Sequence, residues 1–170
     1  QPDNWSRATV IAQHLQSRLG IEKGPILGDL KTTYQRITSE GAGYCGDFAM
    51  AFTALANAAG IPNRTWAFSF DGFGGHGHIF NEVWDDTSKR WRAIDTFNNY
   101  VFLDSTTNTP LSALEFRAAM RQERPEATIV VLNPNIRPGY KIHAKAVAYY
   151  RQGVNEWYQP WGNNVVTVDE

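Results

Sequence analysis

Between Gly46 and Ala59 apolar residues recur at helical spacing, and soon afterwards the spacing changes to two. This switch constrains the fold more than any other feature of the chain. Phe48, Phe52, Leu55 and Ala59 lie on one helical stripe, with small alanines between them. Gly60 stops the helix and Pro62 prevents its continuation. Trp66, Phe68 and Phe70 then alternate, as in a strand with one buried face. Further strands are expected from His78 to Trp84 and from Trp91 to Phe97, joined by a turn over Asp85-Asp86-Thr87-Ser88-Lys89. Helices followed by mostly antiparallel strands make an α+β fold.

The remaining segments fit that plan. Asn4 or Ser6 can cap a first helix to about Leu19, with Ile11, Leu15 and Leu19 inward and Gly20 as its end. A second helix from Asp29 to Thr38 would face inward through Leu30, Tyr34 and Ile37, and Gly41-Ala42-Gly43 breaks it. Asp71 to Gly77 reads as a glycine-rich loop and Asp104 to Pro110 as a polar one. Leu111 to Arg124 has helical character, with Leu114, Ala118 and Arg121 or Gln122 on successive turns, and Ala127 to Leu132 reads as a buried strand. Tyr140 to Arg151 fits either period. With 170 residues and no visible linker, residues 1–170 are expected to form one domain.

Charge and composition remove several classes of function. A net charge of −1 without a basic stripe speaks against nucleic acid and anionic membrane as partners. The longest apolar stretch, Ala49 to Ala59, is far short of the ~20 residues that span a bilayer, so no membrane insertion is expected. The single cysteine rules out an intrachain disulfide and a cysteine-rich zinc site. A start at Gln1-Pro2 rather than Met reads as a processed or excised chain.

That cysteine stands at the first turn of the strongest helix. A thiol is a useful nucleophile only as thiolate, and unpaired N–H groups at a helix N-terminus favour negative charge. Gly43 and Gly46 allow close approach of the backbone around Cys45, whereas the Asp47 carboxylate opposes a thiolate, so a partner base is needed. His78 is the leading base. If Trp84 pairs with Trp91, Phe80 pairs with Asp95, and His78 and Asp95 become diagonal neighbours with Cα atoms about 7–8 Å apart. Asp95 would then orient the imidazole. His76 shares the parity of His78 and is the competing base, while Glu82 lies on the same face as a supporting group. His76 and His78 with Asp85 and Asp86 form the one alternative metal set, which lacks a convincing third ligand, and no metal or cofactor is expected. Taken singly, Cys45 could be core filler, His78 a satisfied strand histidine and Asp95 a turn-capping carboxylate.

Four stretches carry a resemblance: Gly43-Tyr44-Cys45-Gly46-Asp47-Phe48-Ala49, Ala58-Ala59-Gly60-Ile61-Pro62, His78-Ile79-Phe80-Asn81-Glu82-Val83 and Trp91-Arg92-Ala93-Ile94-Asp95. Together, and in this order, the sequence resembles the transglutaminase-like superfamily within the papain-like group. The resemblance implies a papain/transglutaminase-like core with the cysteine helix packed against an antiparallel sheet. It also implies a Cys45 nucleophile, a His78 base and an Asp95 orienting acid acting on a peptide, protein or other amide through a thioester, toward hydrolysis or transamidation. The cysteine motif resembles that of peptide N-glycanases too, without their zinc-binding cysteine pairs. Gly46 offers a backbone N–H to an oxyanion, and Gln35 and Tyr44 are candidates for a second donor. The alternative is a catalytically silent peptide- or saccharide-binding module, its site lined by Tyr149, Tyr150, Trp157, Tyr158 and Trp161, although such aromatics more often simply cover a core edge. The resemblance and the missing initiator Met lean toward an exported or periplasmic protein.

Overall fold

Asp3, rather than Asn4 or Ser6, starts the first helix, because its extended backbone lets the carboxylate accept the Ser6 N–H at 2.7 Å. The computed structural model describes residues 2–18, 24–70, 76–122, 127–136, 138–139, 143–153, 157–161 and 164–167. Helix α1 (Asn4–Leu15) tightens into a 3-10 turn at Gln16–Arg18, and the expected end at Leu19 and Gly20 lies outside the described residues. Helix α2 (Leu30–Glu40) is capped by Asp29 and closed by Gly41 at φ 65°, a left-handed position that favours glycine. Its covered part begins at Thr33, so Leu30 in the first turn projects past the packing and is 43% exposed, contrary to the sequence expectation. Helix α3 (Cys45–Ala58) buries Phe48 and Phe52 completely.

Among the described residues there are seven strands: β1 (Asn63–Ser69), β2 (Gly77–Asp85), β3 (Arg90–Asp95), β4 (Tyr100–Asp104), β5 (Ala127–Val131), β6 (Trp157–Trp161) and β7 (Asn164–Thr167). They form one antiparallel sheet in the order β5-β4-β3-β2-β1-β6-β7. Trp84 pairs with Trp91 and the ladder runs to Asn81 opposite Ile94, the register expected from the turn. Strand β3 ends at Asp95 rather than Phe97. The Asp95 carboxylate accepts the Asn98 N–H at 3.0 Å, and Asn99 at φ 63° completes the tight turn into β4.

Both faces of the sheet are covered, which is why Ala67 and Ser69 are buried along with Trp66 and Phe68. Asn81, Val83 and Ile94 face α1 and α3, where the Asn81 amide donates to Thr53 Oγ1 at 2.9 Å. The opposite face carries Phe68, His78, Phe80, Asp95 and Phe102, and packs under α4 (Ala113–Met120) and α5 (His143–Gln152). Ser112 and Glu115 form a reciprocal cap that starts α4. That start turns Ala113, Phe116 and Met120 inward, whereas Leu114 and Ala118, expected on the inner stripe, are exposed. The ambiguous segment before Arg151 is helical from His143 onward.

Candidate active site

Gly43 sets the entry into α3. It holds φ 115°, and a Cβ there would lie 3.1 Å from Asp47 Cβ and 3.2 Å from Ile26 Cδ1. Asp47 reaches back to accept the N–H groups of Tyr44 at 2.8 Å and Ile26 at 3.2 Å. The carboxylate set against a thiolate in the sequence reading is therefore committed to the helix entrance. Cys45 is half-buried at the first helical position, and a Cβ at Gly46 would meet nothing within 4 Å. The first N–H groups of α3 have no acceptor within their own helix.

His78 comes from the second position of β2 and is 3% exposed. Its ring is boxed by Phe68, Phe80, Phe97, Tyr149 and Tyr150, with centroids 5.4–6.4 Å away. Phe97 also touches Phe48 of α3, joining the cysteine helix to the histidine strand. Nε2 of His78 lies 2.5 Å from Asp95 Oδ2. Nδ1 is buried, and with Nε2 committed to Asp95 it is the ring nitrogen that remains without a hydrogen bond among the described residues.

Burial works against a charged imidazole, yet the Asp95 charge and hydrogen bond outweigh it, and Cys45 adds to the effect, so the His78 pKa rises to about 9. Burial likewise opposes the ionised form of Asp95, whose pKa is nevertheless lowered by the His78 charge and by donated hydrogen bonds. Those bonds come from His78, the Asn98 N–H at 3.0 Å and the Tyr150 hydroxyl, and Asn98 Nδ2 also lies 3.1 Å from Oδ2. Asp95 therefore combines its two readings, capping the turn through Oδ1 and orienting His78 through Oδ2.

The other candidates lie elsewhere. His76 is exposed. Glu82 is fully buried, but it accepts from Arg64 Nε at 2.6 Å, Trp66 Nε1 at 2.8 Å and the Ala113 N–H at 2.7 Å, so it ties β1 to α4 rather than supporting His78. Asp85 accepts from Ser88 and Arg92, and Asp86 accepts the Asn4 N–H, at the far end of β2 from His78. Among the described residues no cluster of potential metal ligands is present. Tyr44 caps α3 and is 38% exposed beside Cys45. Gln35 is exposed on α2, and among the described residues no hydrogen bond links its side chain to Cys45, His78 or Asp95. Tyr150 and Trp157 are core residues, Tyr149 and Tyr158 are partly buried, and the Trp161 side chain lies outside the description. Asn98 was not singled out by sequence; the Asp-x-x-Asn spacing of a turn was its only signal.

A sequence model of the Transglutaminase-like superfamily matches residues 1–96, more than half the chain. The chain belongs to the transglutaminase-like superfamily. No curated protein matches it. Two solved structures are similar to this transglutaminase-like chain. The periplasmic domain of TgpA from Pseudomonas aeruginosa bound to ethylmercury is 19% identical, with a TM-score of 0.43 over 56% of this chain and 38% of that one. A candidate protease from Parabacteroides distasonis is 15% identical, with a TM-score of 0.45 over 84% of this chain and 26% of that one. This chain therefore spans well under half the length of either. Among the described residues no helix is long and apolar enough to cross a membrane.

Proposed function

We propose that this transglutaminase-like protein is a cysteine-dependent acyl-transfer enzyme, with Cys45 as nucleophile, His78 as base and Asp95 as the acid that orients it. One observation carries the reading: a buried imidazole with Nε2 held by a carboxylate and Nδ1 without a hydrogen bond among the described residues, its charged form favoured by both Asp95 and Cys45. In the proposed cycle the Cys45 proton passes to His78 Nδ1, and the thiolate adds to the carbonyl carbon of an amide. The oxyanion takes up the N–H groups of Cys45 and Gly46 in the first turn of α3. Collapse breaks the C–N bond, His78 returns the proton to the departing amine, and a thioester remains on Cys45. Water or a second amine, deprotonated by His78, then releases the acyl group as acid or as new amide.

The substrate is a peptide, protein or other amide. An exported setting belongs to the same proposal, and fractionation of the native host tests it. The chemistry is tested by alkylating Cys45, the only cysteine, with iodoacetamide across pH. Rapid alkylation at neutral pH that is lost in His78→Ala is the expected result. A slow reaction indifferent to His78 would overturn the reading.

A further inference from the structure

Asp95 is more heavily engaged than an acid that only orients one histidine needs to be. Its Oδ2 receives His78 Nε2, Asn98 Nδ2 and the Tyr150 hydroxyl, and its Oδ1 receives the Asn98 N–H. Asn98 Nδ2 also lies 3.3 Å from the Tyr150 oxygen, so Asn98, Tyr150 and Asp95 form a closed set. Tyr150 is fully buried on α5, and Asn98 is 4% exposed in the turn after β3. A Cβ on Gly139 would sit 2.2 Å from Asn98 Oδ1, so the absence of a side chain there lets Asn98 occupy its place. Asn98, Gly139 and Tyr150 lie beyond the 1–96 stretch that the family model matches.

We propose that Tyr150 and Asn98 are positioning residues of the Cys45 site, holding Asp95 ionised and aimed at His78 Nε2 so that Nδ1 is presented to the thiol. The proposal rests on the reading of Cys45, His78 and Asp95 given above. A buried carboxylate without donors would take up a proton, and a protonated Asp95 could no longer hold an imidazolium. Four donated hydrogen bonds prevent this. The Tyr150 hydroxyl stays protonated to serve as one of them, since burial and the Asp95 charge both raise its pKa well above the ordinary value. The two residues do not touch the reacting atoms; they act through Asp95. Helix α5 thereby becomes part of the site as well as a cover for the sheet.

The experiment is the alkylation profile of Cys45 in wild type, Tyr150→Phe and Asn98→Ala. Phenylalanine keeps the ring among Phe68, Phe102 and Phe116 and removes only the hydroxyl. Loss of a donor raises the proton affinity of Asp95, and Cys45, His78 and Asp95 titrate as a coupled set, so both limbs of the profile move to higher pH. In Tyr150→Phe the expected displacement is about one pH unit, the worth of a hydrogen bond to a charged group. Asn98→Ala moves the limbs in the same direction and serves as the second probe if the tyrosine variant folds poorly. A role confined to packing would lower the urea midpoint and leave the limbs in place. Unmoved limbs in both variants, with wild-type alkylation still dependent on His78, overturn this assignment alone. Wild-type alkylation that ignores His78 overturns the parent reading and the assignment with it.

Discussion

Raising the pH should remove a large part of the stabilisation that His78 gives the fold. In the unfolded chain the imidazole titrates near 6.5, whereas beside Asp95 it titrates at about 9. The folded state binds this proton more tightly, so the contribution is complete below about pH 6.5 and disappears as pH rises through about 9. The rise from 6.5 to about 9, at about 1.4 kcal/mol for each tenfold change in proton affinity, is worth roughly 3 to 4 kcal/mol. Both side chains are 1% exposed, so solvent screening reduces this little. Above pH 9 Asp95 faces a neutral ring and loses the attraction of the imidazolium, keeping the hydrogen bonds from Nε2–H, Asn98 and Tyr150. The assay is urea unfolding followed by tryptophan fluorescence at about pH 6 and about pH 9.5, in wild type and His78→Gln. With a slope of about 2 kcal/mol per M, the wild-type midpoint should fall by about 1.5 M more than that of the variant. Parallel losses in the two proteins would refute the ion pair as a source of stability.

Three further outcomes follow, two from glycines and one from Glu82. Gly46→Ala adds a methyl with no neighbour within 4 Å, so thermal unfolding should show unchanged or slightly raised stability, and under the proposed mechanism turnover should fall about tenfold as the methyl crowds the first turn of α3. Gly43→Ala, at φ 115° and against Asp47 and Ile26, should instead destabilise the fold by about 2 kcal/mol in urea unfolding. Glu82→Gln weakens the acceptor of Arg64 and Trp66 and should cost about 2 kcal/mol, with an alkylation profile like that of wild type. A shifted profile in Glu82→Gln would return that residue to the site.

The helix carrying Cys45 and the hairpin carrying His78 and Asp95 were legible in the chain because their determinants are local. An apolar stripe ending at Gly60 and Pro62 dictates one, and a short turn that fixes register dictates the other. Strand β4 was not, since Tyr100, Val101 and Phe102 are all buried and a strand covered on both faces has no period of two. The stripe of α4 was misplaced because its phase depends on the cap at Ser112, a local signal that the exposed Leu114 obscured.

What the sequence determined by itself was the set of chemical groups and the elements that bear them: a lone thiol at a helix start, an imidazole and a carboxylate on adjacent strands, and the α+β order. The tertiary structure alone decided that Asp47 belongs to the helix entrance, that Glu82 serves Arg64 and α4, and that Tyr150 from the far end of the chain closes on Asp95. Which donor a buried carboxylate finds depends on contacts as distant as the 55 positions between Asp95 and Tyr150, and no local pattern of residues encodes a separation of that kind.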